Sequence, residues 1–174
     1  TMSADFTGST APDVAGNIVA LLAVDIGLDD EPDGAEAGYG FAALLPKRTA
    51  AATAKALDEF VAELQLLGKN KSRAIMRFHT DVDKSFLGKV ERLAIRKGCR
   101  QTDTGGYKSA ANLLVERRIG MLRQRLRTLI LAATGGTNAD YIQALWGHGL
   151  LAANLYVNVN DWMTRMSPRQ QLTG

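Results

Sequence analysis

The sequence predicts an α/β protein: one mixed five-stranded sheet flanked by helices, with its elements in the order βββαβαβαα. Three observations carry that prediction. Three apolar, strand-like runs open the chain with no helix between them, the apolar period changes from two to about 3.6 near Thr49, and strands and helices alternate from there on. Consecutive strands favour an antiparallel meander, whereas strands reached through helices add in parallel, so the sheet is mixed and carries helices on both faces.

The first strand is the short apolar stretch Met2 to Phe6, followed by a Gly/Pro turn region. Asn17 to Ile26, rich in Ile, Val and Leu, reads as a buried strand. Residues 28–38 are acidic and hold Gly and Pro, so they form a loop; its charge is solubilising, because no calcium-loop ligand spacing is present. Tyr39 to Leu45 gives a third strand, stopped by Pro46. In the helix from Thr49 to Leu67, Leu57, Phe60, Val61, Leu64 and Leu67 share one face and Lys55, Asp58, Glu59 and Glu63 the other, with Gly68 placed to end it. Ala74 to Phe78 reads as a strand that delivers Asp81 just beyond its end. A second helix spans Ser85 to Lys97 and ends at Gly98, and Arg100 to Thr102 is a short strand. After a flexible loop at Gly105-Gly106, a long helix runs from about Ser109 to Ala133, with Leu114, Ile119, Leu122, Leu126, Leu129 and Ile130 as its apolar positions. Asn138 or Asp140 caps a last helix that reaches about Val157. Residues 161–174 read as an irregular tail. Neither internal repeats nor low-complexity tracts occur, and the expectation is one domain over residues 1–174.

Composition narrows the function classes. With 174 residues, 46% of them hydrophobic, the chain can bury one real core. The longest apolar stretch falls short of the roughly 18 residues of a membrane helix, and the start does not read as a signal segment, so no membrane partner and a soluble intracellular location are expected. Its one cysteine, Cys99, excludes an internal disulfide, and with only two histidines, His79 and His148, it cannot build a zinc finger. The net charge of +3 hides a division. Residues 1–68 hold 3 basic against 11 acidic residues, net −8, and residues 69–174 hold 18 against 7, net +11. Basic residues on amphipathic helices are often only solvated surface. Beside a metal site, a basic wall fits nucleic acid, whose affinity comes largely from phosphate neutralisation.

Three carboxylates point to such a site: Asp5 in Ala-Asp-Phe-Thr-Gly, Asp81 in Phe-His-Thr-Asp, and Glu116 in Asn-Leu-Leu-Val-Glu-Arg, the last two separated by 34 residues. Oxygen ligands from a few carboxylates suit a hard cation such as Mg2+ or Mn2+ that keeps some waters for a phosphate substrate. Asp25, at the end of the second apolar strand, is a rival first ligand or a strand-end cap. His79 adjoins Asp81 and reads as packing, because a strand alternates its side chains. Trp146, Trp162 and the methionines read as core or interface.

At this point the chain resembles the catalytic core of a retroviral or retrotransposon integrase, nearest the copia type. The matching segments are Asp-Phe-Thr-Gly at 5–8, the apolar strand ending Val24-Asp25, and Phe-His-Thr-Asp at 78–81 with Phe86 five residues later. Tyr107, Asn112, Val-Glu-Arg at 115–117, Ser167-Pro168, Leu172 and Gly174 complete a similarity that covers nearly the whole chain.

The resemblance implies a ribonuclease H-like fold and a D,D,E triad of Asp5, Asp81 and Glu116 as catalytic metal ligands for Mg2+ or Mn2+. It implies two-metal 3′-end processing and strand transfer of DNA, and a homodimer built through the first helix and the last long one. It also implies flanking integrase modules in the full-length protein, and a retroelement particle in nucleus or cytoplasm. Lys108, Asn112, Arg117 and Arg123 are the candidate DNA contacts, Asn112 being one turn before Glu116; it is equally readable as a helix-start residue satisfying backbone donors. Val82-Asp83-Lys84-Ser85 stands where the family has Asn-Gly or Asn-Gly-Gly-Glu, Ser109-Ala110 replaces Pro-Gln, and Leu113 replaces a Gly. These departures bear on loop geometry and DNA contacts. Two alternatives therefore stay open: a ribonuclease H or junction-resolving nuclease, and a domesticated core that binds DNA or protein without cutting.

Overall fold

The computed structural model describes residues 2–8, 11–25, 38–67, 77–81, 83–103, 110–135, 139–159 and 169, the side chains at 110–112, 114, 139, 141 and 142 excepted. The acidic loop from 28 to 37, the helix end at Gly68, the Gly105-Gly106 loop, Trp162 and the tail apart from Arg169 lie outside the described residues. The strands are β1 (Met2–Gly8), β2 (Val19–Asp25), β3 (Gly40–Leu45), β4 (Arg77–Thr80) and β5 (Arg100–Asp103); the helices are α1 (Ala50–Leu67), α2 (Lys89–Arg96), α3 (Ala110–Thr134) and α4 (Ala139–Val159). They form the expected mixed five-stranded sheet, in the spatial order β3-β2-β1-β4-β5. The meander is antiparallel, β1 with β2 and β2 with β3, and the helix-connected strands add in parallel, β4 to β1 and β5 to β4.

β2 explains why helices pack on both faces of the sheet. Its run Val-Ala-Leu-Leu-Ala-Val is apolar at every position because both faces of the sheet are covered. Val19, Leu21 and Ala23 join Met2, Ala4, Phe78 and the α1 residues Leu57, Phe60, Val61 and Leu64 in one core. Ala20, Leu22 and Val24 face the other way, onto Val115, Ile119, Leu122, Leu126 and Ile130 of α3 and Trp146, Leu150, Ala153 and Val157 of α4. Alternation along β1 then assigns Met2, Ala4 and Phe6 to the α1 side and Ser3, Asp5 and Thr7 to the α3 side. Among the described residues no helix is long and apolar enough to cross a membrane.

Two elements differ from expectation. The predicted helix from Ser85 to Lys97 is a one-turn 3-10 helix, Lys84–Phe86, followed by α2, because Gly88 takes φ of 65° and breaks the run. Leu129, expected in the core, is exposed, since Leu126 and Ile130, four residues apart, carry the buried stripe past it.

A buried polar cluster joins α3, α4 and β3. Arg118 is 4% exposed, and its guanidinium donates to Asn154 Oδ1 at 3.0 Å, Asn158 Oδ1 at 2.7 Å and the Gly38 carbonyl at 3.3 Å. The two asparagines, one turn apart on α4, return their amides to the Gly40 carbonyl at 2.8 and 2.6 Å. Gly40 is required at this point: a Cβ there would lie 2.6 Å from Arg118 Nη2. Burial, helped by the charge of Arg125, lowers the guanidinium pKa to about 10, so it stays charged at neutral pH among neutral acceptors. Arg118→Met removes the donor while leaving both asparagine oxygens buried, and it should cost about 2–4 kcal/mol in urea unfolding; a loss within error would show the cluster to be neutral.

Candidate active site

The site is built where β4 ends against the middle of its parallel neighbour β1. Register pairs Met2 with Phe78, Ser3 with His79 and Ala4 with Thr80. Asp81 directly follows Thr80, because β4 runs two residues beyond the apolar run that announced it. Continuing the pairing by one step puts Asp81 beside Asp5, with strands about 4.8 Å apart. From this end the chain leaves β1 toward β2 on one side and β4 toward β5 on the other, the reversal that opens a crevice at the carboxyl ends of an α/β sheet.

Charge supplies the third member. Burial is the main cause of the raised pKa of Asp5, the backbone N–H of Phe6 opposes it, and the charges of Asp81 and then Glu116 raise it further; Arg48 pulls it back. Asp5, Asp81 and Glu116 therefore share one electrostatic neighbourhood, drawn from a central strand, the residue after its neighbour, and α3. Among the described residues no three His, Cys, Asp or Glu side chains form a ready-made metal cage. The Asp5 carboxylate accepts from the Phe6 N–H at 2.7 Å. The donor set is oxygen only, which suits Mg2+ or Mn2+ rather than a softer metal.

Asp25 stands elsewhere. It pairs with Met2, three positions along the ladder from the Asp5–Leu22 pair, and by alternation it shares the face of Leu21 and Ala23, opposite Asp5. His79 is buried, its Nδ1 2.9 Å from Thr102 Oγ1, and burial followed by the charge of Arg77 lowers its pKa, leaving it a neutral packing residue. Cys99 is buried and burial pushes its thiol pKa up, the opposite of an activated nucleophile.

Of the candidate DNA contacts, Arg117 is exposed on α3, and Arg123, also exposed, donates Nε to Thr7 Oγ1 at 2.9 Å. Lys108 and the side chain of Asn112 lie outside the described residues.

Sequence reasoning missed a second layer around the carboxylates. The loop after Asp81, which departs from the family pattern, is anchored. Asp83 accepts from the Ser85 backbone N–H at 2.7 Å and pairs with Arg48 at 2.9 Å. Burial works against ionisation of Asp83, but the Ser85 hydrogen bonds and the Arg48 charge hold its pKa below the usual carboxylate range. Arg48 also lies over the Phe6 ring, 4.3 Å from its centroid, and its charge is the smallest of the influences on the Asp5 pKa, lowering it. Nothing in the Pro-Lys-Arg turn at 46–48 announces this. Thr7 had a signal, since it lies two residues from Asp5 on the same face of the strand.

No family model matches the sequence, and no curated protein does. Solved structures do match. The catalytic core domain of BIV integrase superposes with a TM-score of 0.64 at 16% identity, over 99% of this chain and 91% of that one. The chain has the fold of a retroviral integrase catalytic core. A chain of the simian T-cell lymphotropic virus intasome, in complex with PP2A regulatory subunit B56 gamma, superposes with a TM-score of 0.66 at 18% identity, over 99% of this chain and 53% of that one. The integrase-core fold thus spans about half of the intasome chain. It is the ribonuclease H-like architecture expected; both neighbours are retroviral, and the copia-type shade of the resemblance draws no support from them.

The raised Asp5 pKa has a signed consequence. Above its folded pKa the ionised group costs stability; below the unfolded value, about 3.9, both states are protonated and the cost vanishes. Asp5→Asn keeps an oxygen for Phe6 N–H and should melt roughly 1–4 °C higher than the parent at pH 7 without divalent metal, with the difference gone near pH 3.5 in a thermal scan. An equal difference at both pH values would refute the electrostatic origin.

Proposed function

We propose that the chain is the catalytic core of an integrase-type polynucleotidyl transferase that carries out 3′-end processing and strand transfer in retroelement DNA integration. The observation that carries the reading is the convergence of three charges: the Asp5 carboxyl, midway along β1, feels both Asp81, just past the end of the parallel strand β4, and Glu116 of α3, in a fold shared with retroviral integrase cores. Asp5, Asp81 and Glu116 are the proposed ligands of Mg2+ or Mn2+. When bound, such ions stabilise the attacking and leaving oxygens of a phosphodiester and lower the pKa of the attacking hydroxyl or water.

The chain's own residues then have defined tasks. The strand carboxylates fix the origin of the site, and Glu116 closes it from α3. Arg48 offsets part of the acidic charge and anchors the loop after Asp81 through Asp83. No protein nucleophile is needed, consistent with Cys99 being buried with a raised thiol pKa. Lys108, Asn112, Arg117 and Arg123 are proposed DNA contacts, within the part of the chain that carries 18 basic against 7 acidic residues.

Glu116→Gln should reduce metal-dependent joining of DNA ends by more than about 100-fold while leaving the melting temperature and metal-free DNA binding in place. Retained joining would remove the triad. One observation favours a second reading, a domesticated core that binds DNA without cutting: the Arg48 guanidinium lies where it can itself offset the Asp5 charge. Absence of Mn2+ binding at millimolar concentration would favour that reading.

A homodimer through α1 and α4 is part of the proposal. It is supported by large apolar side chains left in water, Leu151, Leu155, Tyr156 and Val159 on α4 and Leu66 on α1. Sedimentation at micromolar concentration should give a dimer; a monomer overturns it.

A further inference from the structure

The position of Glu116 depends on how α3 is seated on β1, and most of that seat is apolar. Val115, Ile119, Leu122 and Leu126 pack onto the sheet, and Arg118 ties the other flank of the helix to α4 and to the Gly38 carbonyl just before β3. Apolar contact is non-directional and leaves small slides and rotations of a helix inexpensive. A slide by one residue moves a helix side chain about 1.5 Å along the axis and turns it about 100°, which would carry Glu116 out of reach of the strand carboxylates.

On the flank that carries Glu116, a directional contact to β1 itself opposes such movement. Arg123 Nε donates to the hydroxyl of Thr7 at 2.9 Å. Arg123 is seven residues from Glu116, two helical turns, and lies on the same flank of α3. Thr7 is two residues from Asp5 on the same face of β1 and is 6% exposed, so its hydroxyl is held in one place by the strand. The two pairs, Glu116 with Asp5 and Arg123 with Thr7, therefore follow in the same order along helix and strand. A hydrogen bond fixes distance and direction within narrow limits, and ligand constellations need placement to about 0.5 Å.

We propose that the Arg123–Thr7 hydrogen bond sets the axial and rotational register of α3 on β1, making both side chains positioning residues for Glu116. The inference rests on the triad reading and adds to it: Arg123, singled out as a candidate DNA contact, works first on the protein's own strand.

The test uses Mn2+ binding to the whole chain in the absence of DNA, read by electron paramagnetic resonance of free Mn2+, with duplex-DNA anisotropy in EDTA beside it. Thr7→Val keeps the shape of the side chain and removes the acceptor; it should weaken Mn2+ binding roughly 10-fold and leave metal-free DNA affinity unchanged. Thr7→Ser restores the hydroxyl and should bind Mn2+ as the parent does. Arg123→Met gives an opposing sign. Removing a cation near an acidic site would by charge alone tighten Mn2+ binding, whereas loss of register weakens it. The proposal is overturned if Thr7→Val binds Mn2+ like the parent, if Thr7→Ser is as impaired as Thr7→Val, or if Arg123→Met binds more tightly. Glu116→Gln separates this from failure of the triad: if that substitution, too, leaves Mn2+ binding unchanged, the triad itself is refuted and the positioning role goes with it.

Discussion

The seating of α3 across the central strand β1 is the constraint on which the rest of the structure depends. Two of the three carboxylates come with the sheet, since parallel pairing of β1 and β4 brings Asp81 to the end of the strand beside the one that holds Asp5. The third comes only if a separate helix lies at the correct height and rotation. The sequence meets that need with an apolar stripe for affinity and polar attachments on the two flanks for placement. Arg118 reaches α4 and the Gly38 carbonyl before β3 on one flank, and Arg123 reaches Thr7 on the other.

That arrangement opposes stability to function at one point. A partly buried carboxyl surrounded by like charges is unfavourable by itself, and the raised pKa of Asp5 is the mark of it. The surrounding structure tolerates the cost because Phe6 N–H and Arg48 each offset part of it, and because the two cores on either side of the sheet supply the stability that the site does not. A divalent cation would reverse the sign of the interaction among the acids.

Much of the fold was legible because periodicity reports burial directly. The unbroken apolar run of β2 announced a strand covered on both faces, and the 3.6-residue pattern of Leu57, Phe60, Val61 and Leu64 announced the face of α1. The Ser85–Lys97 helix was misread because Gly88 adopts a positive φ, a backbone choice the apolar pattern does not encode. Of the site, the carboxylates were visible through their sequence settings. Arg48 and Arg118 were not, because their roles arise from partners 35 or more residues away: Asp83 for the one, and Asn154, Asn158 and the Gly38 carbonyl for the other. A basic residue in a turn and one arginine among several on a helix look the same in sequence whether they anchor a loop, fill a buried cluster or face solvent.

The most direct test of the account is an anomalous difference map from crystals of this chain grown with Mn2+. The account predicts a peak within coordination distance of carboxylate oxygens from both Asp5 and Asp81, with Glu116 turned toward the same position. Manganese bound elsewhere on the surface, with those three carboxylates still apart at saturating metal, would contradict it.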